Sequence, residues 1–442
     1  MGPASSISTA SMPRPPVWRA LRHRNFQLFF GGQLISLIGT WMQSVAQSWL
    51  VYRLTDSATL LGLVGFCSQI PVLLLAPIGG TLADRRDKRK VLIFTQSSAM
   101  LLAFILAALT LTAKIDTWQI LAIATALGVV NAFDIPTRQA FVVEMVGKED
   151  LMNAIALNSS MVNGARIVGP AIAGVLVSTI GEGWCFFANG VSYLAVIAGL
   201  LMMRVHTQGA NAKRGKALSE IAEGFRYVAR TGPVRALLLL LGLVSLMGMP
   251  YAVLMPIIAD RILHGGARGL GILMGAAGAG ALLGALSLAA RSGLRGLGRW
   301  VMLSSASFGL SLILFALSRS FWLSAALLVP VGFSMMLQMA ASNTLIQSMT
   351  PDNLRGRVMA VYSMMFMGLA PFGSLLAGAL ANRIGAPETI IVGGLCCIAG
   401  AAIFGYRLPA LREEARELIL ALQMTGGDPV EEITDEGAMP GS

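Results

Sequence analysis

Residues 57–113 read SATLLGLVGFCSQIPVLLLAPIGGTLADRRDKRKVLIFTQSSAMLLAFILAALTLTA. Two uncharged runs, 57–83 and 91–113, flank a turn in which every residue from Asp84 to Lys90 carries a charge. An α-helix needs about 20 apolar residues to cross the ~30 Å hydrocarbon layer of a bilayer. Because that layer offers the backbone no water to bond with, such segments fold as helices. The stretch therefore predicts two membrane-spanning helices joined by a charged turn.

The same pattern recurs along the whole chain. The sequence has 55% hydrophobic and 12% charged residues, whereas about 25% of the residues in a soluble domain are charged. We therefore expect an all-α integral membrane protein with twelve transmembrane helices, numbered spans 1 to 12 in chain order. The apolar runs are Asn25–Tyr52, Ser57–Ala83, Val91–Ala113, Thr117–Phe133, Leu151–Gly181, Gly183–Met203, Ala236–Ala259, Gly269–Ala290, Trp300–Ser318, Ser320–Pro351, Val358–Asn382 and Thr389–Tyr406.

The net charge of +11 is distributed unevenly between the connecting segments. With the amino terminus in the cytoplasm, 26 of the 33 Lys and Arg residues fall on the cytoplasmic side, six fall outside, and Arg166 lies within span 5. The positive-inside rule therefore predicts a multi-pass protein of the cell (inner) membrane with both termini in the cytoplasm. No basic patch is left for nucleic acid. The sequence also lacks a phosphate-binding loop and a metal-ligand cluster, so we expect no cofactor and no metal.

Glycine positions indicate an internal repeat. Gly62 recurs 209 residues later as Gly271. At an offset of 204, spans 4–6 match spans 10–12. The matched residues are Gly128, Gly164, Gly169, Gly174, Gly181 and Gly190 with Gly332, Gly368, Gly373, Gly378, Gly385 and Gly394. Two similar six-helix halves, related by an axis along the membrane normal, describe a transporter plan that holds its substrate between the halves.

The longest polar stretch between spans separates the two halves. We expect an amphipathic surface helix within it, at Leu218–Ala229, and a second one after span 12, at Leu411–Met424. The predicted units are an N-terminal cytoplasmic segment (1–25), a first six-helix bundle (26–203), a cytoplasmic linker (204–235), a second bundle (236–407) and a cytoplasmic tail (408–442).

The turn between spans 2 and 3 carries an ordered motif, GGTLADRRDKRK at 79–90. It resembles the loop signature G-x-L-A-D-R-x-G-R-K of the major facilitator superfamily, although Asp87 stands where most members have Gly. The resemblance implies two pseudo-symmetric six-helix bundles, and a gate in which Asp84 contacts the start of span 11 until the transporter opens inward. A solvated basic cluster is the alternative. The matching positions are Gly80, Asp84, Arg85, Lys88 and Arg89.

Span 5 contains GARIVGPAIAG at 164–174. It resembles the antiporter signature G-P-x-x-G-G of exporters in the superfamily, with Ala173 in place of one Gly. The resemblance points to an antiporter-like motif made of Gly164, Gly169, Pro170 and Gly174. Ordinary close packing of helices through small residues is the alternative.

The run NAFDIPTRQAF at 131–141, together with Asn25-Phe26 and Gly39-Thr40-Trp41-Met42-Gln43, carries a further resemblance. It is similar to the bacterial branch of the superfamily that includes the enterobactin exporter and macrolide-type efflux pumps. This similarity covers roughly residues 18–407, and it implies export rather than a particular substrate.

Three ionisable residues lie in or near the membrane-spanning runs. Asp134 and Arg138 are four residues apart and share a helix face, while Arg166 lies about midway along span 5. Ionisable groups in a membrane are costly and point to function. We therefore interpret Asp134 as the group that titrates during transport, with Arg138 or Arg166 as its counter-charge. A fixed structural ion pair is the alternative.

Span 1 displays polar side chains at spacings of three and four, which place them on one helix face. Because lipid does not tolerate such a face, we expect it to line a wet cavity. Interhelical hydrogen bonds are the alternative. The expected cavity residues are Gln33, Ser36, Thr40, Trp41, Gln43 and Gln47 of span 1, Asn131 of span 4, and Gln338, Ser342 and Asn343 of span 10.

These features favour a monomeric secondary active transporter that exports small amphipathic molecules by proton antiport and alternating access. Its expected partners are a small-molecule substrate, drug-like or siderophore-like, protons and membrane lipid. An importer or uniporter of the same fold is one alternative. An integral-membrane transferase is another, but we find no acid/base cluster at a membrane face for an enzyme to use.

Overall fold

The computed structural model describes residues 19–147, 149–203, 217–290, 293 and 296–424. Within these residues the chain forms helices and short connections, and no strand. Eleven helices are long and apolar enough to cross a membrane. The helix Arg24–Thr55, with 32 residues, brings the number of long helices described to twelve; it is more polar than the other eleven. The predicted all-α membrane fold is therefore confirmed.

The twelve spans alternate in direction. We call the end at which span 6 stops and span 7 starts the linker end. The spans are Arg24–Thr55, Ala58–Arg85, Lys88–Leu111, Thr117–Val146, Leu151–Ile180, Glu182–Met202, Gly232–Ile262, Gly266–Ala289, Leu297–Leu317, Phe321–Ser348, Asp352–Ile384 and Ala386–Met424; a short 3-10 turn (Arg19–Arg22) precedes them, and a linker helix (Ala217–Arg230) lies between spans 6 and 7.

Several spans run beyond the apolar segments that predicted them. Span 4 continues past Phe133 to Val146, since Asp134 is buried inside the helix rather than ending it. Span 12 continues through Pro409 to Met424, so the amphipathic helix predicted at Leu411–Met424 is its extension and not a separate element. Charge spacing locates the hydrocarbon boundary, but a helix does not have to stop there.

Spans 7 and 11 are interrupted. Span 7 changes from α-helix to a π turn at Val244–Gly248 and then to a 3-10 turn at Met249–Ala252. Span 11 breaks between Met367 and Ala370. Proline lacks a backbone N–H and clashes with the preceding turn, and Pro250 and Pro371 lie at these interruptions. The Ser245 hydroxyl, at the break in span 7, donates a hydrogen bond to the backbone carbonyl of Phe366, at the break in span 11. A side chain of one broken helix thus satisfies a backbone group of the other.

The helix packing repeats after six spans. In the first half, span 2 packs on span 4, span 3 on spans 4 and 6, and span 1 on span 6. In the second half, span 8 packs on span 10, span 9 on spans 10 and 12, and span 7 on span 12. Each pairing in one half therefore has its counterpart in the other, which supports the duplication inferred from the glycines.

The two halves meet through two helix pairs, span 2 with span 11 and span 5 with span 8. At the first crossing, a methyl group added to Gly62 would lie 3.0 Å from the Cα of Gly378. At the second, a methyl group on Gly271 would lie 2.7 Å from the Cα of Gly174. The sequence repeat maps Gly62 onto Gly271 and Gly174 onto Gly378. The two crossings are therefore equivalent under the repeat, and in each of them the backbones of two helices are in contact.

Both glycine crossings lie toward the end opposite the linker, and polar contacts join the halves there too. The Tyr52 hydroxyl donates to Asp260 over 2.8 Å, and Asp56 forms an ion pair with Arg261. The Thr59 hydroxyl donates to the Gly378 carbonyl at 3.4 Å. At the linker end, by contrast, the Tyr227 hydroxyl of the linker helix donates to the Met349 carbonyl of the second half at 2.6 Å. The structure is closed at the end opposite the linker.

Gly271→Ala tests the crossing of spans 5 and 8. The new methyl group overlaps backbone atoms of span 5, and overpacking of this kind costs about 1–3 kcal/mol. We expect a lower unfolding temperature in detergent. Gly164→Ala is the matched control, since a methyl group there has nothing within 4 Å and alanine favours helix. A Gly271→Ala protein as stable as the Gly164→Ala protein would contradict the packing described.

Candidate transport site

Asp134 is the most buried acid among the described residues of the first half, with 4% of its surface exposed. Its Oδ1 accepts two hydrogen bonds from span 3, one from the Thr95 hydroxyl and one from the Gln96 amide, each 2.8 Å long. Arg138, one turn later on span 4, brings its Nε to 3.7 Å from Oδ2. One carboxylate oxygen is thus fixed by hydrogen bonds, and the other faces a cation more loosely.

A small cavity of about 60 Å³ opens beside Asp134. Liquid water takes about 30 Å³ per molecule, so the cavity holds waters and not a drug-sized substrate. Spans 1, 3, 4 and 6 enclose it, and the polar or charged residues lining it are Gln33, Ser36, Thr40, Thr95, Gln96, Asn131, Asp134, Arg138 and Tyr193. The structure therefore brings one part of the predicted polar set together around Asp134.

The rest of the predicted cavity set lies elsewhere. Gln43 accepts a hydrogen bond from the Asn189 amide of span 6 at 2.7 Å, which is the interhelical alternative. Gln338 and Ser342 are buried in the second half, and Asn343 bonds with Gln347 one turn later. None of these residues lines the cavity beside Asp134. The Gln338 amide and the Ser342 hydroxyl have no hydrogen-bond partner among the described residues, so a polar cavity that spans both halves stays a prediction. Gln47 is also buried, with 9% of its surface exposed.

Arg166 occupies a different place from the one predicted for a counter-charge to Asp134. Its guanidinium carbon lies 4.9 Å from the centre of the Trp41 ring, a cation–π contact. Tyr251 of span 7, in the other half, is its electrostatic neighbour. Its Nε is buried and has no hydrogen-bond partner among the residues that the structure describes. The cation beside Asp134 is Arg138, and Arg166 lies where spans 1, 5 and 7 meet.

The glycine and proline motif of span 5 packs closely against spans 1 and 8, and its antiporter role stays a prediction. A methyl group on Gly169 would lie 2.8 Å from the Ile38 carbonyl of span 1, and Gly174 and the Pro170 carbonyl face Gly271 of span 8. Gly164 is different, because nothing lies within 4 Å of a methyl group placed there. The motif therefore lets span 5 approach its own half on one side and the second half on the other.

The charged turn between spans 2 and 3 is tied to its own half. Lys88 pairs with Glu144 of span 4 at 2.6 Å, and Arg89 donates to the carbonyls of Leu200 and Leu201 at the end of span 6. A cation at a helix C-terminus is electrostatically favourable. Arg85 is exposed, and Gly80 has nothing within 4 Å of an added methyl group. The side chain of Asp84 lies outside the described residues, so its gating role stays a prediction.

Sequence reasoning missed the roles of four residues: Asp87, Thr95, Gln96 and Glu144. Asp87 accepts a hydrogen bond from the Lys90 amide at 3.2 Å and caps span 3, which explains why an acid can replace the usual glycine of the motif. Thr95 and Gln96 bind Asp134. In the sequence, Thr95 and Gln96 are two adjacent polar residues inside an apolar run. Such a pair does not by itself indicate which neighbouring helix it contacts. Glu144 was missed as the acid that holds Lys88.

The chain is similar to bacterial transporters over most of its length. It is 28% identical to a staphyloferrin A transporter of Staphylococcus aureus, covering 86% of this chain and 95% of the relative. It is 27% identical to the multidrug efflux pump Tap of Mycolicibacterium fortuitum, covering 85% and 93%. It is 26% identical to the enterobactin exporter EntS of Escherichia coli, covering 92% and 96%.

Solved transporters share the fold at low identity. A transporter of the POT family in complex with 5-aminolevulinic acid superposes with a TM-score of 0.71 at 11% identity, over 88% of this chain and 96% of that one. The nucleoside transporter NupG superposes with a TM-score of 0.63 at 12% identity, over 93% and 100%. Both likenesses concern the arrangement of helices.

Replacing Asp134 tests the hydrogen bonds around it. Asp134→Leu removes the acceptor of the Gln96 amide, whereas the Thr95 hydroxyl still has the Leu92 carbonyl at 3.1 Å. An unsatisfied buried donor costs about 1–3 kcal/mol. We expect Asp134→Leu to lower the unfolding temperature clearly, whereas Asp134→Asn keeps an acceptor and lowers it less. Equal stability of the two variants, measured by thermal unfolding in detergent, would contradict the observed bonding.

Residues 16–435 match the family described as transmembrane secretion effector. The resemblance of the loop motif, the paired six-span packing and this match agree with one another. They also set aside a transferase, because the family and the relatives are transporters. The chain belongs to the transmembrane secretion effector family of the major facilitator superfamily, and it is a secondary active transporter of the efflux type.

Proposed function

We propose that this transporter moves small amphipathic anions out of the cytoplasm in exchange for protons, by alternating access across the bacterial inner membrane. The observation that carries the proposal is the pair of glycine crossings, Gly62 with Gly378 and Gly174 with Gly271, which close one end of the interface between the halves. A transporter built on two rocking halves needs such a closed end in each state.

The charge distribution orients the molecule. The linker end carries most of the lysines and arginines, so the positive-inside rule puts it, with both termini, in the cytoplasm. In this orientation the glycine crossings close the periplasmic end. Closure of that end is what the proposal requires of an exporter that takes its substrate from the cytoplasm.

The periplasmic closure is built to separate at low cost. The glycine crossings are backbone contacts without interlocking side chains. The Asp56–Arg261 pair is solvent-exposed, with 60% and 51% of the two side chains accessible. Such a pair is worth about 0–1 kcal/mol. Ligand or proton binding that favours the other state by a few kcal/mol is therefore enough to shift the population.

Asp134 supports proton coupling through the unequal surroundings of its two oxygens. Thr95 and Gln96 hold Oδ1, while Oδ2 lies beside the water-sized cavity and the longer Arg138 contact. Protonation at Oδ2 leaves the two hydrogen bonds intact and cancels the attraction for Arg138. In this proposal, Arg138 then moves away and carries the signal to the cavity.

The substrate class follows from the balance of charge near the interface of the halves. Asp134 already has Arg138 beside it, so its charge is compensated. Arg166 lies over the aromatic ring of Trp41, and no carboxylate pairs with it among the described residues. A buried cation without an anion favours a ligand that brings one. Acidic siderophore-like molecules fit this better than cationic drugs do.

Uptake into inside-out vesicles is the direct test of direction and coupling. A panel containing carboxylate siderophores, catecholate siderophores and cationic dyes is offered with and without an imposed pH gradient. We expect the acidic compounds to accumulate only with the gradient. Accumulation that ignores the gradient would overturn proton antiport, and accumulation only in right-side-out vesicles would favour the importer of the same fold.

Asp134→Asn separates coupling from binding. It is expected to abolish gradient-driven accumulation while exchange of labelled for unlabelled substrate continues, because the asparagine cannot take up a proton. Glu417→Gln, which removes an exposed carboxylate from span 12, is the control and should transport normally. Full gradient-driven transport by Asp134→Asn would exclude Asp134 as the titrating group.

Arg166→Met tests the substrate class independently of coupling. We expect it to weaken transport of the acidic compounds by roughly 10-fold or more, the effect of losing a charge-assisted hydrogen bond of about 1.5–3 kcal/mol. Any transport of neutral or cationic compounds should be retained or improved. A uniform loss across the panel would indicate that Arg166 acts only by packing on Trp41.

A further inference from the structure

One cavity of the described structure lies outside the interface between the halves. It is an apolar groove of about 470 Å³ at the linker end of the second half. The starts of spans 7 and 9, the end of span 10 and the part of span 12 from Phe404 to Ile419 enclose it. Its wall on span 12 is the apolar stripe Leu408, Leu411, Ala415 and Ile419.

Three arginines border this groove: Arg299 at the start of span 9, and Arg412 and Arg416 on span 12. All three are exposed, and no guanidinium group among them forms an ion pair or hydrogen bond with another described residue. The acids of the same helix stay out of the lining, and Glu414 turns its carboxylate toward Gly232 instead. The groove therefore joins an apolar floor to three arginines whose side chains have no ion-pair partner among the described residues.

Aromatic residues mark the depth of the groove in the membrane. Tyr406 is 90% exposed and Trp300 is 40% exposed, and such side chains collect at the level of the lipid headgroups. Arg412 follows Tyr406 by six residues, about 9 Å along a helix. Arg299 is the neighbour of Trp300. The arginines thus lie at or just outside the headgroup layer, and Phe404 and Leu408 extend the groove toward the hydrocarbon.

We propose that this groove binds an anionic phospholipid of the leaflet on the linker side. One acyl chain lies along Leu408, Leu411 and Ala415, and the phosphate lies among Arg299, Arg412 and Arg416. Arginine pairs strongly with phosphate oxygens, and basic pockets between transmembrane helices at this interface hold anionic headgroups. The bound lipid links the extension of span 12 to spans 7, 9 and 10. This site is independent of the substrate and of proton coupling.

The test is a binding titration of the purified full-length chain with phosphatidylglycerol, using phosphatidylethanolamine as competitor and native mass spectrometry as readout. The triple variant Arg299→Gln, Arg412→Gln and Arg416→Gln removes the headgroup site. At about 1 kcal/mol per basic residue, its affinity for phosphatidylglycerol should fall roughly 100-fold. The control triple Arg226→Gln, Arg230→Gln and Arg407→Gln removes the same charge from exposed positions outside the groove, and should bind as the original chain does.

A second variant tests the apolar part of the groove that would hold the acyl chain. Ala415→Trp fills the groove and leaves every arginine in place, and it should lose phosphatidylglycerol binding while the variant still folds and unfolds cooperatively. Equal losses in the two triple variants would reduce the site to surface charge and overturn the proposal. Retained binding by Ala415→Trp would overturn it as well. The proposal would also be overturned if the full chain did not bind phosphatidylglycerol and a variant lacking residues 425–442 did. The acidic tail would then be the occupant of the groove.

Discussion

The contact between bare helix backbones, Gly62 with Gly378 and Gly174 with Gly271, is what the rest of the architecture depends on. In lipid, helices associate through close packing because apolar side chains gain little by leaving the hydrocarbon. Glycine removes the side chain that would keep two helices apart. At the glycines themselves the contact is between backbones, so separating the helices there breaks no interlocked side chains. One feature thus provides both closure and release.

Much of this fold could be predicted from the sequence because hydrocarbon imposes a simple rule on charge. The twelve spans, the division into halves and the repeat follow from it. The repeat shows that Gly62 is equivalent to Gly271 and Gly174 to Gly378. It does not show that Gly62 contacts Gly378, since a repeat identifies equivalent residues and not contacting ones. The extension of span 4 beyond Asp134 was also hidden, because a buried charge with partners resembles a span end.

The candidate site was predicted less well, and for a physical reason. A buried polar side chain in a membrane must find a partner, and the partner can be a neighbouring helix, water or substrate. Polar residues that face any of these three partners recur at the same spacing of three and four in the sequence. Gln33 and Gln43 are ten residues apart on one helix, yet Gln33 lines the cavity of Asp134 and Gln43 bonds to Asn189. Only the packing of span 6 against span 1 separates them.

The most direct test of the account is a pair of spin-label distances measured in lipid across a change of pH. Labels at Thr112 and Arg319 report on the end opposite the linker, and labels at Arg86 and Arg355 report on the linker end; all four positions are exposed. Rocking about the glycine crossings predicts a second population in which the first distance lengthens while the second shortens. Distances that stay fixed, or that change in the same direction, would contradict it.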